Sequence, residues 1–187
     1  MGESYHEKTT RPVPQPVSKS APMRKLAAFV FGVCLVIVTG AIAAEIPSHD
    51  RKFATSAAQA GAAEVAEAKL ALKKAHRSDL RKFAEQMVAD HAKANTELAA
   101  LAMQLGVALP EGLDPDDQRH VDELKALSGK DFDRAYMIDQ ISAHGSAVSL
   151  FTTEASLGQE SHLKAFASST LPTLKMHQAA IKKIAGF

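Results

Sequence analysis

The sequence predicts an all-α protein, a ferritin-like four-helix bundle whose second and third long helices are joined by a long connection containing a short helix. Three observations carry that expectation. Alanine supplies 34 of the 187 residues, and no residue has a higher helix propensity. Aromatic residues are only 5% of the chain, with no Trp, whereas a sandwich or barrel draws heavily on aromatic and β-branched side chains. Four long segments repeat apolar or small residues at steps of three and four, the period of a bundle-facing helix.

The elements follow in order. Residues 1–22 are polar and Pro-rich and read as a disordered leader. Residues 26–44, LAAFVFGVCLVIVTGAIAA, form an uncharged apolar run behind Arg24 and Lys25. A basic start, an apolar centre and the small-residue exit Ala41-Ile42-Ala43 read as a signal peptide over 23–43. Its most apolar stretch, 26–39, is shorter than the roughly 20 residues of a membrane span. Met23 is then the expected translation start, and the periplasm the expected destination. The alternative is an uncleaved anchor in the inner membrane. Cleavage near Ala43 would remove Cys34 and leave 17 basic against 19 acidic residues, a charge of −2.

The folded domain is expected over 48–187. Its first long helix, 48–74, opens at Ser48 with Asp50 in the first turn and carries the stripe Phe53, Ala57, Ala60, Glu64, Ala68, Ala71. The second, 78–105, opens at Ser78 and shows Leu80, Phe83, Met87, His91, Ala94, Leu98, Leu101, Leu105 before Gly106. Asp114 and Pro115 then open a short helix, since Pro suits the first helical position, and Gly129 is expected to close it. The third long helix, from Lys130-Asp131 to 157, reads Met137, Ile141, His144, Val148, Phe151, Ala155; Gly158 ends it. The fourth, 160–185, reads Leu163, Phe166, Thr170, Leu174, His177, Ile181, Ile184, with a kink expected at Pro172. Two tight turns and one connection of about 25 residues give the ferritin-like order of helices.

Each long helix carries one metal-competent residue in its stripe: Glu64, His91, His144 and His177. His49, His76, His120 and His162 fall at helix ends or in the short helix, where histidine is common. With a rise of ~1.5 Å per residue, Glu64 and His91 differ in depth from their shared turn by roughly 4–5 Å, as do His144 and His177. All four can therefore meet near mid-bundle. Buried imidazole and carboxylate are costly unless paired, and a divalent ion pairs them all: this donor set suits Zn, Fe, Cu, Ni or Mn. Asp90, Glu67 and Asp139 are in reach to hold the outer ring nitrogens. Met87 and Met176 adjoin the histidines and could serve a copper ion. The rival reading is a hydrogen-bonded Glu/His layer that only fixes bundle register, with the methionines as core filler and Gly61 and Gly145 permitting close helix approach.

Several function classes are excluded or disfavoured. Lys plus Arg number 22 against 21 acids, a net charge of +1, which is not the footprint of a nucleic-acid partner. One Cys excludes a disulfide framework and a Cys-based zinc site. Di-iron enzymes on this fold need Glu-x-x-His on two helices. Val88, Ile141 and Leu174 stand three residues before the core histidines, so ferroxidase or oxygenase chemistry is disfavoured. No phosphate loop, nucleophile elbow or HExxH is present. Membrane contact is expected only through an uncleaved N-terminal segment, and the sequence names no protein partner.

Phe83-Ala84-Glu85-Gln86-Met87-Val88-Ala89-Asp90-His91 resembles the F-A-x-x-M-x-x-D-H segment of a bacterial exported family. Gly129-Lys130-Asp131-Phe132-Asp133-Arg134-Ala135-Tyr136 through His144, and Phe166-Ala167 through Leu171-Pro172-Thr173-Leu174 to His177, resemble its later segments. The family is catalogued as domain of unknown function 4142. The resemblance spans about residues 50–184 and implies a ferritin-like bundle and export, but no reaction.

Overall fold

The computed structural model describes residues 45–187; the leader, the signal-like segment, Cys34 and Met23 lie outside the described residues. Five helices make up the described chain: α1 (Ser48–Lys74), α2 (Ser78–Leu105), α3 (Pro115–Ala126), α4 (Gly129–Leu157) and α5 (Ser161–Ala185). Among the described residues there is no strand, only an isolated bridge from Ala75 to Gly129. No helix there is long and apolar enough to cross a membrane.

Two aspartates set the topology. Asp133, near the start of α4, accepts from the backbone N–H groups of His76 (2.8 Å) and Arg77 (3.0 Å) in the α1–α2 turn. Asp50, in the first turn of α1, accepts from the N–H groups of Gln159 (3.0 Å) and Glu160 (2.9 Å) in the α4–α5 turn. So α4 starts where α1 ends, and α1 starts where α4 ends. Because α2 is antiparallel to α1, α2 and α4 run parallel. The long connection must travel the length of the bundle between them, which is the ferritin-like order. Around the bundle, α1 packs on α2 and α4, and α5 packs on the same two helices.

The connection is tied down along its course. Asp114 caps α3 by accepting from Asp116 N and Asp117 N. Lys74 Nζ donates to the Lys125 and Leu127 carbonyls at 2.6 Å each, neutralising the free C-terminal end of α3. Val121 and Leu124 bury the inner face of α3.

Several local expectations change. Neither Ser48 nor Ser78 caps its helix; the caps are Pro47 and Arg77, without a side-chain bond. At the start of α2 the backbone donors of His76 and Arg77 are instead met by Asp133 of α4. Gly129 does not close α3, which ends at Ala126; with φ +57° it opens α4. Ala60 is exposed and Gly61 takes its place inside. A Cβ at 61 would lie 2.1 Å from Asn95 Oδ1, so glycine is needed for that approach, whereas at Gly145 the nearest contact is an ordinary 3.8 Å. One expectation holds: α5 runs on through Pro172, as the expected span 160–185 requires.

The largest correction is on α4. Its buried face is Phe132, Asp133, Tyr136, Gln140, His144, Ala147, Phe151 and Glu154. Met137, Ile141, Val148 and Ala155 are only half-buried. Four polar residues, Asp133, Gln140, His144 and Glu154, occupy the inner face, which pulled the apolar stripe onto its flank.

The core falls into two apolar clusters. One holds Phe53, Leu98, Phe151, Leu163, Phe166 and Leu174 near the α4–α5 turn. The other holds Leu80, Phe83, Met87, Phe132, Tyr136 and Ile181 near the α1–α2 turn. In every long helix the metal-competent residue lies between its contributions to the two clusters. A single polar layer thus crosses mid-bundle.

Candidate metal centre

The four residues singled out by spacing meet in that layer. Glu64 is 3% exposed, His91 7%, His144 0% and His177 1%. The imidazole centroids form a near-equilateral triangle, with separations of 5.7 Å for His91–His144, 5.4 Å for His91–His177 and 5.5 Å for His144–His177. Each ring offers one nitrogen within 4.8 Å of the other two. Glu64 Oε2 lies 2.8 Å from His91 Nε2 and 3.6 Å from His144 Nε2, on the α1 side of the triangle.

Outer partners fix which nitrogen faces inward. His144 Nδ1 donates to the Gln140 carbonyl at 3.0 Å, one turn back on α4. This leaves Nε2 with a free lone pair. His177 Nε2 donates to Asp90 Oδ2 at 2.8 Å, so its Nδ1 keeps the lone pair. Asp90 therefore does what the sequence assigned to it, reaching from α2 to orient a ring on α5. Glu67 and Asp139 do not. Glu67 accepts from Gln140 Nε2 at 2.8 Å, and Asp139 pairs with His120.

Glu64 Oε2, His91 Nε2, His144 Nε2 and His177 Nδ1 are all buried and outside good hydrogen-bond geometry. Glu64 Oε2 and His91 Nε2 form a close pair at 2.8 Å. His144 Nε2 and His177 Nδ1, whose rings donate outward through the other nitrogen, turn lone pairs toward the same region. Buried polar atoms without a well-placed partner are rare in folded proteins, and four in one layer are a pattern rather than an accident.

The charges agree with that arrangement. Burial pushes the Glu64 carboxyl up, but contact with His91 and the charges of all three imidazoles outweigh it and hold it below the usual range. Burial pushes His144 down, against the pull of Glu64. It pushes His177 down as well, against the Asp90 hydrogen bond. These shifts favour an ionised Glu64 beside neutral His144 and His177, the state in which such groups ligate metals.

A cavity of about 40 Å³ adjoins the centre, lined by Glu64, His91, His177, Gly61, Asn95 and Thr173 among others. That is more than the roughly 10–15 Å³ one water needs. Phe83 closes the other side, its ring 6.3 Å from His144 and 6.2 Å from His177. Met87 is buried, but Met176 is exposed and its sulfur meets Gln86 on the surface, so it does not face the centre. The sequence reading missed Gln140, fully buried in the layer, and Tyr136, fully buried one turn away in the apolar cluster beside it. Their only signal was two polar groups at steps of four before His144.

A third group, His49, Asp50 and Glu154, also brings ligand atoms together. Asp50 is already committed there to the backbone of the α4–α5 turn.

The model of the family described as "Domain of unknown function (DUF4142)" matches residues 38–184. The chain belongs to this family. No curated protein matches it. Among solved structures, it is similar to a DUF305 fragment from Deinococcus radiodurans, at 16% identity and a TM-score of 0.66, covering 75% of this chain and 97% of that one. It is also similar to CopM in Cu(I)-bound and Cu(II)-bound forms, each at 18% identity and a TM-score of 0.61, covering 72% of this chain and 93% of that one. At these identities the likeness speaks for the helical-bundle fold.

Proposed function

We propose that this DUF4142 bundle binds one transition-metal ion through His91, His144 and His177, with Glu64 as the fourth donor, and works in metal binding or envelope stress tolerance rather than turnover. The observation that carries the reading is the convergence of three buried imidazole nitrogens within 4.8 Å of one another at mid-bundle, with Glu64 Oε2 2.8 Å from His91 Nε2. Asp90 and the Gln140 carbonyl orient two of the rings from behind, as second partners do at metal sites.

Three imidazoles and a carboxylate suit copper or zinc, and also accept Fe, Ni or Mn. CopM, of the same fold, is solved with copper in both oxidation states, which makes copper the first ion to test. A thioether contribution from Met176 is not part of the proposal. The signal-like segment at 23–43 supports work outside the cytoplasm.

A second reading has one observation in its favour. Gln140 Nε2 bonds Glu67 across α4 and α1 within the same layer, as a register-setting polar layer would. Elemental analysis of the purified protein and of His144→Ala separates the two. The metal reading expects about one equivalent in the parent and none in the variant. No stoichiometric metal in the parent, with thermal stability indifferent to a chelator, would leave the polar layer as a structural device.

A further inference from the structure

Beneath α3 lies another set of ligand-competent side chains that the core centre does not use. Glu67 of α1, His120 of α3 and Asp139 of α4 each bring one ligand atom within 4.8 Å of the other two. They line a cavity of about 360 Å³ between these helices, together with Asp117 and the rear of the Glu64 side chain.

The charge there is one-sided. Glu67, Asp117 and Asp139 face one imidazole, that of His120, and among the described residues no Lys or Arg pairs with any of them. Glu67 is 6% exposed. Gln140 occupies one of its oxygens at 2.8 Å. Burial, then repulsion from Asp139 and Glu64, pushes its carboxyl up to about 8. Glu64 lines the same cavity, but its Oε2 is turned to the core centre, 2.8 Å from His91 Nε2. Carboxylates kept from water without a counter-charge are costly, and a bound divalent cation reverses that balance.

We propose that Glu67, His120 and Asp139 form a second divalent-cation site, at the seam between the crossover helix and the bundle. One imidazole and two carboxylates are a harder donor set than the core centre and favour Mn(II), Fe(II) or Zn(II) over Cu(I). The site shares none of the three core histidines, so it stands or falls apart from the core centre. An ion there would join α3 to α1 and α4.

Titrating the metal-free, full-length protein with Mn(II), with free ion followed by its EPR signal, tests this. His144→Ala, in which the core centre is disabled, should bind one equivalent; the parent should bind that equivalent and, where the core centre also takes Mn(II), a second. Asp139→Asn and His120→Gln should weaken the shared equivalent at least tenfold while keeping the parent's far-UV circular dichroism. Glu67→Gln, close in shape, should do the same if either of those variants misfolds. No Mn(II) binding by the parent would overturn the proposal and leave His120 and Asp139 as an ion pair. So would binding that disappears in His144→Ala, or that persists undiminished in Asp139→Asn, His120→Gln and Glu67→Gln.

Discussion

His144 and His177 face the centre with opposite ring nitrogens, because His144 gives its Nδ1 proton to a carbonyl of its own helix and His177 gives its Nε2 proton to Asp90. The two partners make different predictions. The Gln140 carbonyl is helix backbone and survives any side-chain change. Asp90 is a side chain, so Asp90→Ala should lower metal affinity by roughly 10–100-fold with helicity unchanged. A competition titration against a chelator of known affinity reads this, and unchanged affinity would remove Asp90 from the account. Glu154 shows the opposite environment. It is fully buried, its oxygens make no hydrogen bond, and burial with Asp50 beside it pushes its carboxyl up to about 7. Its folded-state value lies above the unfolded one, so its contribution is intact below about pH 4.5 and is lost as pH rises through about 7. Glu154→Gln should therefore raise the thermal midpoint at pH 8 by a few degrees and leave it unchanged near pH 4.5. Equal effects at both pH values would count against this. The core His and Glu were legible in the sequence because each is an isolated polar residue in an apolar stripe. Gln140 and Tyr136 were not, because on α4 the stripe itself is polar.

Helix boundaries were legible where glycine, proline or an N-terminal aspartate acts locally, as at Gly106, Asp114 and Gly158. What was misread is the capping: Ser48 and Ser78 open their helices without capping them. Asp50 and Asp133 look like ordinary acids near a helix start, yet each serves the turn at the far end of the neighbouring helix. Removing such an acceptor leaves two backbone N–H groups unpaired, at a cost of about 1–3 kcal/mol or more. Asp133→Ala should lower the free energy of unfolding in urea by about 2–3 kcal/mol, and a loss under about 0.5 kcal/mol would contradict the topology argument. Close approach of α1 and α2 gives a second test. Gly61→Ala gains helix propensity, about 1 kcal/mol, but places its methyl group against the Asn95 amide. The single variant should be destabilised, and Asn95→Ala should rescue it. Additive effects in the double variant would show that the two positions do not meet.

For the whole molecule, the order of the helices follows from two short turns and one long connection, and this is why the fold class could be read without coordinates. What the sequence could not supply is the rotation of α4 or the partnership of α3 with α1 and α4. Both depend on contacts between residues far apart in the chain, such as Lys74 with Leu127 and His120 with Asp139. The polar layer divides the core into two apolar halves. An ion at its centre ties four helices together, so the metal-loaded protein should melt well above the metal-free form, by mass action on the folded state. The most direct test of the central claim is X-ray absorption at the edge of the bound metal. The account predicts a shell of nitrogen and oxygen at roughly 2.0–2.1 Å, with outer scattering from three imidazoles that is lost in His144→Ala. A shell without imidazole scattering, or a sulfur-dominated one, would contradict it.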